Sequence, residues 1–155
     1  MPDPTRQRPQ DGYDPGAFLP YLLTRAAEAA SLEFAREYRA RHGLLRAEWR
    51  VLFHLGRSGP VTASGIVAMT GLHKTMVSRA AARLEERGLV VRSADETDRR
   101  RAHLGLTRTG RALYDDLVGR AAAFDRTLAA RFSRGEWAVL IDCLDRLARP
   151  DEPPE

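Results

Sequence analysis

The spacing of apolar residues changes twice along this chain, and those changes limit what it can fold into. From Leu19 to Leu84 apolar residues recur every third or fourth position, which is the helical period. From Leu89 to Leu106 that period gives way to two short strand-like runs around a polar segment. From Leu113 onward the helical period returns. The pattern predicts a mainly α fold with a small β-wing.

Capping residues and glycines set the expected boundaries. A first helix over residues 17–41 carries Leu19, Leu22, Leu23, Ala26, Ala30, Phe34 and Tyr38 on one side and stops at Gly43. A second covers residues 46–55, with Trp49, Leu52 and Phe53 inward and Gly56 as its stop. Gly59 and Pro60 make a turn. Thr62 caps a short helix over 63–70, which Gly71 closes. A fourth helix runs from about His73 to Arg87 and ends at Gly88. Leu89–Arg92 and Ala102–Leu106 read as strands of a hairpin with the polar segment 93–101 at its tip. Thr107 caps a fifth helix whose stripe is Leu113, Leu117, Ala121, Phe124, Leu128 and Phe132. Ser133 and Glu136 form a capping box that opens a last helix bearing Trp137, Leu140, Ile141, Leu144 and Leu147. Residues 1–15 are polar and Pro-rich and read as a disordered tail, as do residues 149–155.

The formal net charge is +4, and Lys74 is the only lysine, so the basic side chains are nearly all arginine. Arginine forks onto phosphate and guanine edges, which suits nucleic acid; a solubilising surface is the alternative. Cys143 is the sole cysteine, so no internal disulfide forms. No apolar run is long enough to span a bilayer, and the N-terminus lacks the apolar core of a signal peptide. A cytoplasmic protein is the expectation.

A short helix, a glycine turn, a second helix and a charged hairpin describe a helix-turn-helix with a wing. In the fourth helix Val77, Ala81 and Leu84 share one face by their i, i+4, i+7 spacing. His73, Lys74, Thr75, Ser78 and Arg79 project elsewhere, where a major groove would meet them. Arg79 can fork onto guanine, Thr75 and Ser78 can reach bases or phosphates, and Arg83, one turn on, suits the DNA backbone. Taken alone, this is also the pattern of an ordinary surface helix. The hairpin tip adds Asp98, Arg99, Arg100 and Arg101. Adjacent arginines repel unless a polyanion is near, and a tip arginine can enter the narrow minor groove. Asp98 is spaced to hold the Arg100 guanidinium.

These residues resemble the multiple antibiotic resistance regulator (MarR) family of bacterial transcription factors. The resemblance is carried by Gly43-Leu44 with Glu48-Trp49-Arg50-Val51-Leu52, by His73-Lys74-Thr75 with Val77-Ser78-Arg79, and by Leu84-Glu85-Glu86-Arg87-Gly88-Leu89-Val90. Asp98-Arg99-Arg100, and Leu104 to Thr107 followed by Gly110, complete it. It covers residues 18–147 and implies one domain over 16–148, with a DNA-binding lobe at about 46–106 and dimerisation helices at about 17–42 and 107–148. It implies a homodimer on a double-stranded, palindromic operator, major-groove reading by the helix after Gly71, and insertion of Arg100 into the minor groove, oriented by Asp98. It also implies a small, often aromatic or phenolic, effector that weakens DNA binding. Dimerisation follows from the apolar terminal helices as well, which are too hydrophobic for one small lobe. Two positions depart from the family pattern: Leu45 stands where a capping Thr or Ser is common, and Gly65 lies inside the third helix.

Tyr38, His42, Arg46, Trp49 and Phe53 are candidates for the effector pocket, where aromatics with a cation suit an aromatic carboxylate; Trp49 and Phe53 also fit as core. Cys143 sits among apolar neighbours beside Asp142 and Asp145 and reads as a passive, partly buried thiol. His42, His54, His73 and His103 match no metal-ligand spacing, so no metal and no cofactor are expected. No Gly-rich phosphate loop, nucleophile elbow or paired-carboxylate motif points to an enzyme. A sequence-specific regulator, with repression as its mode, is the leading expectation; a winged-helix module that binds protein is the alternative.

Overall fold

The computed structural model describes residues 14–94 and 102–149 and contains two compact units, Met1–Leu44 and Leu45–Glu155. In the first, Asp14 caps a 3-10 turn at Pro15–Ala17 by accepting the Gly16 N–H at 2.9 Å. Helix α1 follows over Leu19–His42. Its last turn carries Arg39, Arg41 and His42, which complement the negative end of the helix dipole. Gly43 ends it in the left-handed conformation, φ 61°, and the Leu44 N–H reaches back to the Tyr38 carbonyl at 3.4 Å. Its buried residues are Phe34, Ala35 and Tyr38.

The second unit runs α2 (Arg46–Ser58), β1 (Val61–Thr62), α3 (Ala63–Thr70), α4 (Lys74–Glu86), β2 (Val90–Ala94), β3 (Ala102–Leu106), α5 (Arg108–Ala129) and α6 (Arg134–Ala148). Helix α2 packs against α3, α4 and α5, and α4 packs on β2. Val51, Leu52, Leu55, Ile66, Val77, Leu84, Leu104 and Leu117 are fully buried and form the core. The three strands are antiparallel in the order β1-β3-β2, with Val61 opposite Leu104 and Val90 opposite Leu106.

The fold class is the expected one, a mainly helical chain with a small antiparallel sheet. Several details differ. Gly56 does not stop α2, which continues to Ser58 and turns at Gly59, φ 79°. Gly56 is instead a contact point: a side chain there would overlap the Tyr114 ring, and Arg111 donates to the Gly56 carbonyl at 2.8 Å. Trp49 and Phe53 are only half-buried; the inward face of α2 is Glu48, Val51, Leu52 and Leu55. Strand β1 is too short to show a period of two in the sequence. Phe132 lies beyond the end of α5, in the turn to α6, where its ring stacks near Trp137 at 5.8 Å. Gly65 has a packing reason, because a Cβ there would sit 2.5 Å from the Val61 Cγ1. Leu45 has no acceptor to offer, so the start of α2 keeps half a capping box: Glu48 accepts the Leu45 N–H at 2.8 Å.

Candidate nucleic-acid interface

The turn before α4 is built by short polar links. The Thr70 hydroxyl is buried, donates to the Ile66 carbonyl at 2.7 Å and accepts the Leu72 N–H at 3.2 Å. Arg50 reaches from α2 to the Thr70 carbonyl at 2.6 Å. Gly71, φ 64°, ends α3 in a conformation that costs other residues energy. His73 then caps α4, its Nδ1 accepting the Thr75 N–H at 3.4 Å. His73 therefore has a structural task in addition to its expected place in the reading set.

Helix α4 is two-faced. Val77, Ala80, Ala81 and Leu84 are buried, while Lys74, Thr75, Ser78 and Arg79 are exposed with His73. No acidic residue occurs in α4 before Glu85, so the hydroxyls and cations of its N-terminal part have no carboxylate among them. Met76 is also exposed on it. These side chains share one solvent face at the amino end of a helix, the end where a major groove is read.

Arg83 differs from that set. Its Nε lies 2.7 Å from Oε1 of Glu48, a carboxylate only 1% exposed. Arg87 approaches the other oxygen at 3.8 Å. The far end of α4 is thus tied to the first turn of α2. Sequence reasoning missed this pairing; the one available signal was a Glu three residues into α2 without the capping Thr that usually accompanies it.

The base of the wing is tied to the same helix. Arg92 on β2 forks onto Glu85 of α4, Nε to Oε1 at 3.1 Å and Nη2 to Oε2 at 2.9 Å. The Glu85 carboxylate holds the Arg92 guanidinium above its ordinary pKa range. On the other side, the Thr107 hydroxyl donates to the Gly88 carbonyl at 2.7 Å and accepts the Gly110 N–H at 3.0 Å. The expected wing residues Asp98, Arg99, Arg100 and Arg101 lie outside the described residues, as do most of both terminal tails.

The five expected pocket residues fall in both units. Tyr38, buried edge-on to Phe34, and half-buried His42 belong to the first; Arg46, Trp49 and Phe53 belong to the second. In the second unit Trp49 and Phe53 meet at 5.5 Å, and Phe53 lies 6.4 Å from Tyr114 of α5 and 5.6 Å from His54. The Arg111 guanidinium stands 5.2 Å over the Tyr114 ring. Tyr114 was missed because it sits one residue off the apolar stripe of α5. Burial, and then the charges of Arg50 and Arg57, push the His54 pKa down.

Among the described residues no three His, Cys, Asp or Glu side chains converge as a metal site, and no helix is long and apolar enough to cross a membrane. Cys143 is half-buried on α6.

A sequence model of the MarR family matches residues 42–101 of this chain. A MarR family transcriptional regulator of Silicibacter pomeroyi DSS-3 is 30% identical, with a TM-score of 0.69 over 86% of this chain and 99% of its own. The Escherichia coli homoprotocatechuate degradative operon repressor is 26% identical over 82% of this chain and 85% of its own length. The Bordetella bronchiseptica regulator BpsR, solved in a study of how 6-hydroxynicotinic acid regulates its DNA binding, is 25% identical, with a TM-score of 0.77 over 92% of this chain and 99% of its own. With the two-faced α4, the turn at Gly71 and the hairpin base all in the order the family model spans, the chain belongs to the MarR family of winged helix-turn-helix transcriptional regulators.

Proposed function

We propose that this chain is a sequence-specific DNA-binding repressor in the cytoplasm, not an enzyme, that acts as a homodimer on a palindromic operator and is released by a small aromatic ligand. The observation that carries the reading is the exposed face of α4, where His73, Lys74, Thr75, Ser78 and Arg79 stand together with no carboxylate before Glu85. Arg79 and Lys74 read base edges, Thr75 and Ser78 reach bases or phosphates, and Arg83 contacts the backbone. Arg100 enters the minor groove with Asp98 orienting it, and Arg99 and Arg101 add charge at the wing tip.

The homodimer is supported by α6. None of its residues is buried, yet Val139, Ile141, Leu144 and Leu147 are all exposed. Residues 17–42 and 107–148 supply the dimer helices, and two copies of residues 46–106 then present two reading heads about one DNA turn apart, roughly 34–36 Å.

Release by a ligand is supported by the half-buried Trp49, Phe53 and Tyr114 with Arg111 at their edge, and by two relatives, one the repressor of a degradative operon and one regulated by 6-hydroxynicotinic acid. An aromatic carboxylate would stack on the rings and pair with a cation.

The test is binding to the DNA upstream of the chain's own gene. Affinity should fall linearly with log salt, at a slope set by the phosphate contacts. Arg79→Ala should cost about 1–3 kcal/mol and relax specificity at one base position. Absence of salt-dependent binding would point instead to a protein partner for the winged helix. 6-Hydroxynicotinic acid and homoprotocatechuate serve as first effector probes, read by loss of operator binding.

A further inference from the structure

Glu48 is the one buried side chain in the described core whose charge the proposed function leaves without a task. Its carboxylate is 1% exposed; Oε2 accepts a hydrogen bond, whereas Oε1 accepts none among the described residues and has only the charge of Arg83 beside it. Oε2 accepts the Leu45 N–H at 2.8 Å, and Oε1 faces the Arg83 Nε at 2.7 Å. Arg87 adds a second cation at 3.8 Å. Burying a carboxylate is costly, and replacing such a pair by packed apolar residues is often neutral or better for stability. The arrangement therefore calls for a reason beyond holding the fold together.

Arg83 supplies one. The Arg83 side chain is 54% exposed although its Nε is engaged with a buried group. A guanidinium has five N–H donors in a planar fork, so engaging one edge leaves another able to bind an anion. A guanidinium fixed before binding loses less rotamer freedom when it meets a phosphate. The buried partner sits on α2, which is in the core, so the fixed point does not move with the surface.

Building on the DNA-binding reading, we infer that Glu48 is a positioning residue for DNA binding: it holds Arg83 by its Nε edge and presents the rest of the guanidinium to a DNA phosphate. Glu48 itself touches no DNA. Arg83 then acts as a two-edged clamp between α2 and the DNA backbone. A lysine cannot replace it, because an ammonium is a single point of charge and cannot stay against Glu48 while a separate, rigidly held edge faces a phosphate. A glutamine cannot replace Glu48, because an amide carries no negative charge to pair with the guanidinium.

The experiment measures operator affinity against salt for the full-length wild-type protein, Arg83→Ala, Arg83→Lys, Glu48→Gln and the double variant Glu48→Gln/Arg83→Ala, with circular dichroism and urea unfolding of each. Arg83→Ala should weaken binding roughly tenfold, the size of one charge-assisted hydrogen bond. It should also make the salt slope shallower by about 0.9 for each phosphate that is no longer neutralised. Arg83→Lys should lose nearly as much affinity as Arg83→Ala, despite keeping the charge. Glu48→Gln should weaken binding by a similar factor, and the double variant should bind no worse than Arg83→Ala.

Two results would overturn the inference: Arg83→Lys binding like wild type, or Arg83→Ala costing its full tenfold on top of Glu48→Gln. If Glu48→Gln does not fold, the exposed substitution Arg83→Lys decides alone, with full affinity refuting the clamp and lost affinity supporting it. Wild-type protein that binds no DNA would refute the proposed function itself, a result distinct from either of these.

Discussion

The α-carbon of Gly110 lies directly against the carbonyl oxygen of Leu89, so close that a methyl group on Gly110 would overlap it. The same carbonyl accepts the Thr107 N–H at 3.1 Å. The entry to β2 and the first turn of α5 therefore meet backbone to backbone. Gly110→Ala should destabilise the chain by about 3 kcal/mol, because the obstacle is main chain and cannot rotate away. The urea midpoint checks this, and an unchanged midpoint would show that the two segments part freely.

Gly65 gives a subtler case. Alanine is worth about 1 kcal/mol more than glycine inside a helix. At this site its methyl would press on Val61 at 2.5 Å. The expected outcome is a net loss of about 1 kcal/mol for Gly65→Ala in the wild-type chain. In a Val61→Ala background the same change should be neutral or stabilising. A stabilised single variant would show that Val61 gives way at no cost.

Acid should act in part through His54. Its folded-state pKa is lowered, first by burial and then by Arg50 and Arg57. The neutral form is thus favoured in the folded chain, and the unfolded chain takes up the proton first. This contribution is complete above the unfolded value near 6.5 and is lost as pH falls from there through the folded pKa. The urea midpoint should drop less between pH 7.5 and 5.5 in His54→Asn than in wild type. An NMR titration should place the imidazole below 6.5, and a value above that would contradict the account.

Arg92 and Glu85 are both partly open to solvent, at 47% and 27% side-chain exposure. Their fork should therefore matter little to stability, and Arg92→Ala should cost at most about 1 kcal/mol. Its effect on operator binding should be larger than that, because the fork sets where β2 leaves α4. Equal small losses in stability and in affinity would deny the wing any dependence on this pair.

The element order was legible in the sequence because amphipathic period and capping residues dominate it. Thr62, Gly71, Thr107 and the Ser133–Glu136 box all sit at the ends expected of them. The division of α4 into a buried Val77–Ala81–Leu84 face and an exposed polar face was legible for the same reason. What escaped was tertiary. Gly56 looks like a stop until Tyr114 is placed on it, and Glu48 looks like a surface acid until Arg83 and Arg87 arrive from another helix. Trp49 and Phe53 read as core from their hydrophobicity, although the geometry of α2 gives its centre to Val51, Leu52 and Leu55.

The Glu85–Arg92 fork also bears on how such a regulator can change its target. On the proposed reading, exchanging side chains on α4 lets new base letters be read without disturbing the frame. The stride from the major groove to the wing is another matter, because helix and strand are fastened to each other. If the proposed operator is right, lineages descended from this chain would be free to respell a half-site, while its length stayed fixed, and any drift in operator spacing would have to be taken up between the two halves of the proposed palindrome.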